Sequence, residues 1–508
     1  MTRIALALLV LLPIFSPATA QPGLAEALTG VRGRIMGPAD AWQPRAMWLS
    51  GKGSANEMDL TVTLQFDDHG HYYIAGRGVI GIAFGFDGTT TWTQEATGVT
   101  RTMQLGDGER ARLGQWIMSG YWAHPAAPVE VFDSDLMTGG DEMALTVRVA
   151  GTRVKGTLVL DTNKWLPREF ISTISGSRQI MQFVAFETVE GRVVPKEIRI
   201  ETNDRETFHV EFDEIRVDAA ADERVYAPPR SGDNVSYSSS GGPVENVRGR
   251  DGHHFVRPII NGREMGWFAV DTGAGGTSID RGLAREIGLP TIGSGQSTGV
   301  AGQRSVTIHT TTTFRIGPVE IKGMPVTGAE TSGLSLGLSG GYDGLLGMDV
   351  LFHCVIDYDQ RNSRIALYDP GTYKLPEGEW YPLLAYNGKP TLRMEYEEHA
   401  GLFTIDTGNP GAVIIGAMAV ARNRLLDDRI TESGSVGGIG GSVASQDGLL
   451  DWVVWGGRRF DDVPAEFVVE NRGVTADETR DGVIGTDLLE RYRIIFDMTN
   501  GRIAFLPN

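Results

Sequence analysis

The chain has 508 residues, of which 41% are hydrophobic and 22% charged, enough to build real cores in about two to four domains. Its formal charge of −18 lacks the basic excess that a phosphate surface demands, which argues against nucleic acid as a partner. A single cysteine, Cys354, excludes an intrachain disulfide, and its apolar neighbours Phe352 and Val355 mark it as a small buried hydrophobe.

Residues 1–20 are expected to be a secretory signal peptide. Arg3 gives a basic start, residues 4–15 an apolar run too short to span a bilayer comfortably, and Ala18-Thr-Ala20 a small-residue cleavage site before Gln21. The expected product is exported, periplasmic or secreted, with no membrane span. Residues 21–218 are expected to form a β-rich domain. It opens with a short helix over 23–31 and a first strand over 45–50. Leu60-Thr-Val-Thr-Leu-Gln-Phe alternates apolar and polar residues. So do Leu145-Thr-Val-Arg-Val, Lys155-Gly-Thr-Leu-Val-Leu and Phe208-His-Val-Glu-Phe, with turn signals such as Asp87-Gly88 and Glu190-Gly191 between runs. Period-two runs at short spacing imply an antiparallel sheet or open barrel. His69 and His71 lie near one turn, but no further ligand stands at metal spacing; they read as ordinary strand or loop histidines, as do His253 and His254. Residues 219–248, with Pro228-Pro229 and Ser236-Tyr-Ser-Ser-Ser-Gly-Gly-Pro243, are expected to be a linker.

The rest of the chain says one thing twice. Phe268-Ala-Val-Asp271-Thr-Gly-Ala-Gly is followed, 135 positions on, by Phe403-Thr-Ile-Asp406-Thr-Gly-Asn-Pro. Gly344-Leu-Leu-Gly347-Met-Asp349 trails the first copy, and Gly482-Val-Ile-Gly485-Thr-Asp487 the second. Each copy closes on a strand-like segment, Val355-Ile-Asp-Tyr-Asp and Ile494-Ile-Phe-Asp-Met. Two matched copies point to paired half-domains, over 249–375 and 376–508, rather than to an open array. Asn261-Gly262 signals a hairpin whose second strand delivers Asp271. A helix is expected over 280–287, capped by Asp280 and ended by Gly288. A second is expected over 417–426. Gly-rich stretches follow each, over 293–305 and 434–443.

These residues resemble the retropepsin-like and pepsin-like aspartic proteases, over about half of the chain. The resemblance implies an all-β-dominated protein in which two retropepsin-like barrel halves form an intramolecular pseudo-dimer, active as a monomer. It implies an endopeptidase in which water is activated between Asp271 and Asp406, with a peptide or protein substrate and with neither metal nor organic cofactor. Two carboxylates in contact share a proton, so one serves as base and the other as acid. Thr272 and Thr407 would bond across the pseudo-two-fold axis, and Gly273 and Gly408 would admit backbone N–H groups to the carboxylates. Gly299, Val300 and Gly302, and Gly438, Ile439 and Gly440, fall where the family carries substrate-covering flaps. Asn409-Pro410 departs from the family pattern, and no flap tyrosine stands out, so the retropepsins are the nearer comparison. Phe86-Asp-Gly-Thr-Thr-Thr-Trp92, a helical stretch near 109–118 and late paired strands also resemble the half-barrel of periplasmic lipoprotein carriers. That likeness implies an N-terminal antiparallel half-barrel with a few helices. It leaves an alternative function, a non-catalytic carrier for lipid or extended peptide.

Overall fold

A computed structural model describes residues 23–35, 46–133, 141–174, 177–218, 223–230, 234–330 and 337–508. The proposed signal peptide lies outside them. Strands dominate throughout. The N-terminal domain is one antiparallel sheet of thirteen strands among the described residues. It runs as a meander from Ala46–Ala55 outward to Thr100–Thr102, and as a second from Val129–Asp133 inward to Arg205–Asp218, which pairs with Ala46–Ala55 and joins the two. Alternation explains its one apolar face: in Met58–Asp67 the residues at 58, 60, 62, 64 and 66 are buried while those between are mostly exposed or half-buried. Two helices, Leu24–Ile35 and Gly106–Ser119, fill that face with Ala27, Val31, Leu113, Trp116 and Ile117. Both run longer than the alternating sequence around them suggests.

The C-terminal part contains two eight-stranded sheets with one topology. In each, the strand leading to the Asp pairs in parallel with the late Gly-containing strand. Phe268 stands opposite Gly344 and Val270 opposite Leu346; Phe403 stands opposite Gly482 and Ile405 opposite Ile484. The order then continues identically through Ser278–Asp280 and Val413–Ile415 to the paired strands of the Gly-rich hairpins. Asp280 caps the first helix, its carboxylate accepting from the N–H groups of Gly282 (2.8 Å) and Leu283 (3.1 Å). That helix is Arg281–Glu286 and its counterpart Ala417–Asn423.

A six-stranded sheet ties the halves together. Its central pair is Val355–Asp359 from the first half and Arg493–Asp497 from the second, antiparallel, with Val355 opposite Asp497. Their apolar residues merge into a core shared by both halves, containing Ile356, Tyr358, Ile494 and Phe496. Cys354 is fully buried beside it, and burial pushes its thiol up to about 12. The stretch read as a linker is partly built into this architecture. Val235–Tyr237, Gly241–Pro243 and Asn246–Arg248 each pair as a short strand with the first half-domain. Upstream, the Tyr226 carbonyl accepts from Trp92 Nε1 (2.7 Å), so this segment packs on the N-terminal sheet. No helix among the described residues is long and apolar enough to cross a membrane.

Candidate active site

Asp271 and Asp406 each follow the last residue of a buried strand, Phe268–Val270 and His399–Ile405. Both turn into the interface between the halves, where the two carboxyl groups lie within hydrogen-bonding reach of each other. The glycines explain how the loops come so close. A side chain at Gly273 would run into the Asp406 carboxyl group, and one at Gly408 would come within 2.6 Å of the Asp271 carboxyl carbon.

The threonines lock the pair. Thr272 Oγ1 donates to the Ile405 carbonyl (2.7 Å) and accepts from Thr407 N–H (3.0 Å). Thr407 Oγ1 donates to the Val270 carbonyl (2.7 Å) and accepts from Thr272 N–H (3.1 Å). These four bonds are buried and cross the approximate two-fold axis. Replacing Thr272 by Val keeps the volume and leaves two buried backbone groups unpaired. Thr272→Val is expected to cost about 2 kcal/mol, read as a lower thermal midpoint, while Thr272→Ser stays near the parent.

The two loops are not equivalent. Asp271 Oδ1 accepts from both Gly273 N–H (2.8 Å) and Ala274 N–H (2.9 Å). Asp406 Oδ1 accepts from Gly408 N–H (2.8 Å); Ala274 N–H and Asn409 N–H each also reach the backbone carbonyl of their own Asp (3.3 Å), but only Ala274 N–H bonds the carboxylate as well. The asymmetry therefore arises at Asn409, the counterpart of Ala274, and not at Pro410. Burial, with the neighbouring Asp406 carboxylate second, pushes the Asp271 carboxyl up to about 7. Lys389 opposes the shift.

Above the pair lies a cavity of about 710 Å³ lined by both Asp loops and both Gly-rich hairpins. The hairpin tips meet over it. Gly299 N–H donates to Gly302 O (2.8 Å), closing the first turn, and Ala301 N–H reaches Ile439 O (3.4 Å) in the second. A side chain at Gly438 would touch Val300, and one at Gly440 would strike the Gly302 backbone at 2.7 Å. The N-terminal domain grips the first hairpin: Ser294 Oγ donates to Glu57 (2.6 Å) and accepts from Arg205 (2.8 Å).

Three further residues join the site without a sequence signal for it. His253 is buried, with Nε2 2.9 Å from the Gly408 carbonyl and Nδ1 2.8 Å from Asp251. It is a loop histidine outside any metal cluster among the described residues, and it props the second Asp loop from the first half. Lys389 and Arg480 line the cavity. Asn387-Gly388, just ahead of Lys389, is a hairpin dipeptide, but it carries no hint of the direction in which Lys389 faces. Among the described residues no cluster of three or more His, Cys, Asp or Glu side chains is arranged to hold a metal.

Residues 256–350 match the family model described as aspartyl protease. They contain the first Asp loop, the first hairpin and the first late glycine strand, and this part of the chain has an aspartyl-protease-like fold. Among solved structures, a retropepsin-like aspartic protease from Rickettsia conorii is similar at 23% identity, over 26% of this chain and 94% of its own, with a TM-score of 0.20. A LolA superfamily protein from Nitrosomonas europaea is similar at 13% identity over 40% of this chain and 96% of its own, TM-score 0.27. A DUF1329 family protein from Desulfovibrio piger is similar at 10% identity over 40% and 95%, TM-score 0.27. No curated protein matches the chain.

Proposed function

We propose that this protein is an aspartic endopeptidase, exported to the periplasm or secreted, in which Asp271 and Asp406 jointly activate one water. The observation that carries the reading is the contact between two carboxyl groups from a duplicated loop, braced by four crossed threonine bonds. Such an arrangement has no structural need for two acids, and burying them together is costly unless they share a proton. The raised Asp271 carboxyl holds that proton and donates it to the scissile carbonyl oxygen. Asp406 takes the proton from water as the water attacks the carbonyl carbon. An extended peptide lies in the cavity and pairs its backbone with the hairpins above. The tips must part to admit it, since they touch in this structure.

The purified protein is expected to cut a mixed peptide library at defined sites, and a hydroxyl-bearing transition-state isostere is expected to block the cutting. Specific binding with no cleavage across acid and neutral pH would instead favour a carrier. One observation supports that second reading. A cavity of about 690 Å³ separates the N-terminal sheet, at Phe170 and Met181, from the second half-domain at Tyr386 and Met418.

A further inference from the structure

The walls around the Asp pair carry a charge pattern opposite to that of the whole chain. The protein bears a formal −18, yet its cleft is lined by Arg281, Arg304, Lys389 and Arg480. Apart from the Asp pair, Glu330 is the acidic residue among the cavity's lining residues. Two of the cations stand together on the second half. Arg480 is buried and held in place: Nη1 donates to Thr404 Oγ1 (3.2 Å) and Nη2 to the Val474 carbonyl (2.7 Å). A guanidinium has five N–H donors, so these bonds leave capacity over.

Lys389 is held just as firmly, through its backbone. It is the first residue of Lys389–Tyr396, immediately after a two-residue turn in which Asn387 and Gly388 have φ of 48° and 70°. Positive φ at both positions defines the tight hairpin that sets its register, with Tyr386 opposite Lys389. The N-terminal domain buttresses this turn. Asp107 accepts from Asn387 N–H (2.6 Å), and Gln104 Oε1 from Ala385 N–H (2.8 Å). The side chain is half-buried and lines the cavity, and among the described residues its ammonium is in no ion pair. Burial pushes that ammonium below its ordinary range, and Arg480 adds to the push, while Asp406, Asp271 and Asp477 pull it back.

A proton-sharing Asp pair carries one negative charge. Lys389 and Arg480 carry two positive charges beside it. A third acid, Asp477, also acts on Lys389, but it is not among the cavity's lining residues and its carboxylate accepts from Tyr386 and Thr479; on the cleft side two cations therefore face one negative charge, an arrangement that favours an arriving anion. Long-range attraction does not account for such an arrangement, because surface charges are screened within about 8 Å at physiological salt. We propose that the cleft selects peptides carrying a carboxylate next to the scissile bond, seated against Lys389 and Arg480. This rests on the endopeptidase reading and names the substrate class for that same cleft. The carboxylate is either an internal Asp or Glu side chain or the peptide's own terminal carboxylate.

Paired peptides differing only by Glu or Gln beside the cleavage site test this, each made with a free and with an amidated C-terminus. The parent protein is expected to favour Glu over Gln in kcat/KM by about tenfold, as a charge-assisted bond supplies. Lys389→Met is expected to bring the ratio near one, and Lys389→Arg to keep the preference. If amidation lowers kcat/KM about tenfold for the Glu and Gln peptides alike, the carboxylate recognised is the terminal one. If Lys389→Met leaves the Glu-to-Gln ratio intact and moves the pH profile equally for both peptides, Lys389 only tunes the Asp pair and the proposal is wrong. Uncleavable reduced-amide versions of the same peptides separate this from the peptidase reading. Equal affinities across all four forms, Glu and Gln, free and amidated, overturn the specificity whether or not any peptide is cut. A Glu preference in binding with no cleavage retains the anion site and removes the hydrolase.

Discussion

Asp271→Asn is expected to lower kcat for peptide cleavage by about a thousandfold, the range set by losing a positioned acid–base group. The substitution is nearly isosteric, and the Asn side-chain oxygen still accepts from Gly273 N–H and Ala274 N–H, so the fold survives. What disappears is the shared proton. The pH dependence carries a second signature. With its carboxyl pushed up to about 7, Asp271 binds a proton more tightly in the folded state than in the unfolded chain, where the ordinary value is about 4. Its contribution to stability is therefore fully present below about pH 4 and is lost as pH rises through about 7. The Asn variant has no such loss. Its thermal midpoint should exceed the parent's at about pH 8 and approach it at about pH 4. The parent's activity should likewise fall as pH climbs past about 7, where the pair gives up its last proton. An Asn variant that keeps full activity would remove Asp271 from the chemistry. A stability gap independent of pH would mean that burial beside Asp406 does not raise the Asp271 carboxyl in solution.

Much of this site was legible because a repeat exposes itself. Asp-Thr-Gly at 271–273 and 406–408, with Gly344 and Gly482 at similar distances, implied two halves before any coordinate was known. Local chemistry was equally readable. Asp280 is a helix cap and Asn261-Gly262 a two-residue turn, since each is decided by its near neighbours. What stayed hidden depends on contacts between residues distant in the chain. Nothing near His253 in sequence says that its ring reaches the Gly408 carbonyl, 155 residues later. Nothing near Lys389 says which way the hairpin faces. The Ser-rich stretch at 236–243 has linker composition, yet its backbone fills the edges of two sheets, where pairing matters more than side chains. The same limit applied to the N-terminal domain. Alternation revealed strands, but not the grip of Glu57 and Arg205 on the hairpin at Ser294.

Asp357→Ala is expected to cost about 3 kcal/mol, the low end for leaving buried charges without their partner. Asp357 is fully buried on Val355–Asp359, and its carboxylate accepts from Arg364 Nη2 (2.6 Å), Arg493 Nε (2.8 Å) and Arg493 Nη2 (2.7 Å). The low end applies because both arginines keep some contact with water, at 38% and 25% exposure. The position is informative about how the halves came to fit. Asp359, Asn362 and Arg364 in the first half correspond in spacing to Asp497, Asn500 and Arg502 in the second. By that alignment Asp357 has Ile495 as its counterpart, and Arg493 has Val355. The Asp357–Arg493 bond therefore forms once, across the junction, where a symmetric pair of identical halves would form it twice or not at all. It is a device open only to halves joined in one chain and free to diverge. For a unit of this size the expected loss lowers the thermal midpoint by roughly 8 °C. Adding Arg493→Met to Asp357→Ala should recover part of that loss, because it removes a stranded cation rather than a second bond. If Asp357→Ala melts with the parent, the junction is held by its apolar core and the paired strands, and the ion pair contributes nothing to joining the halves.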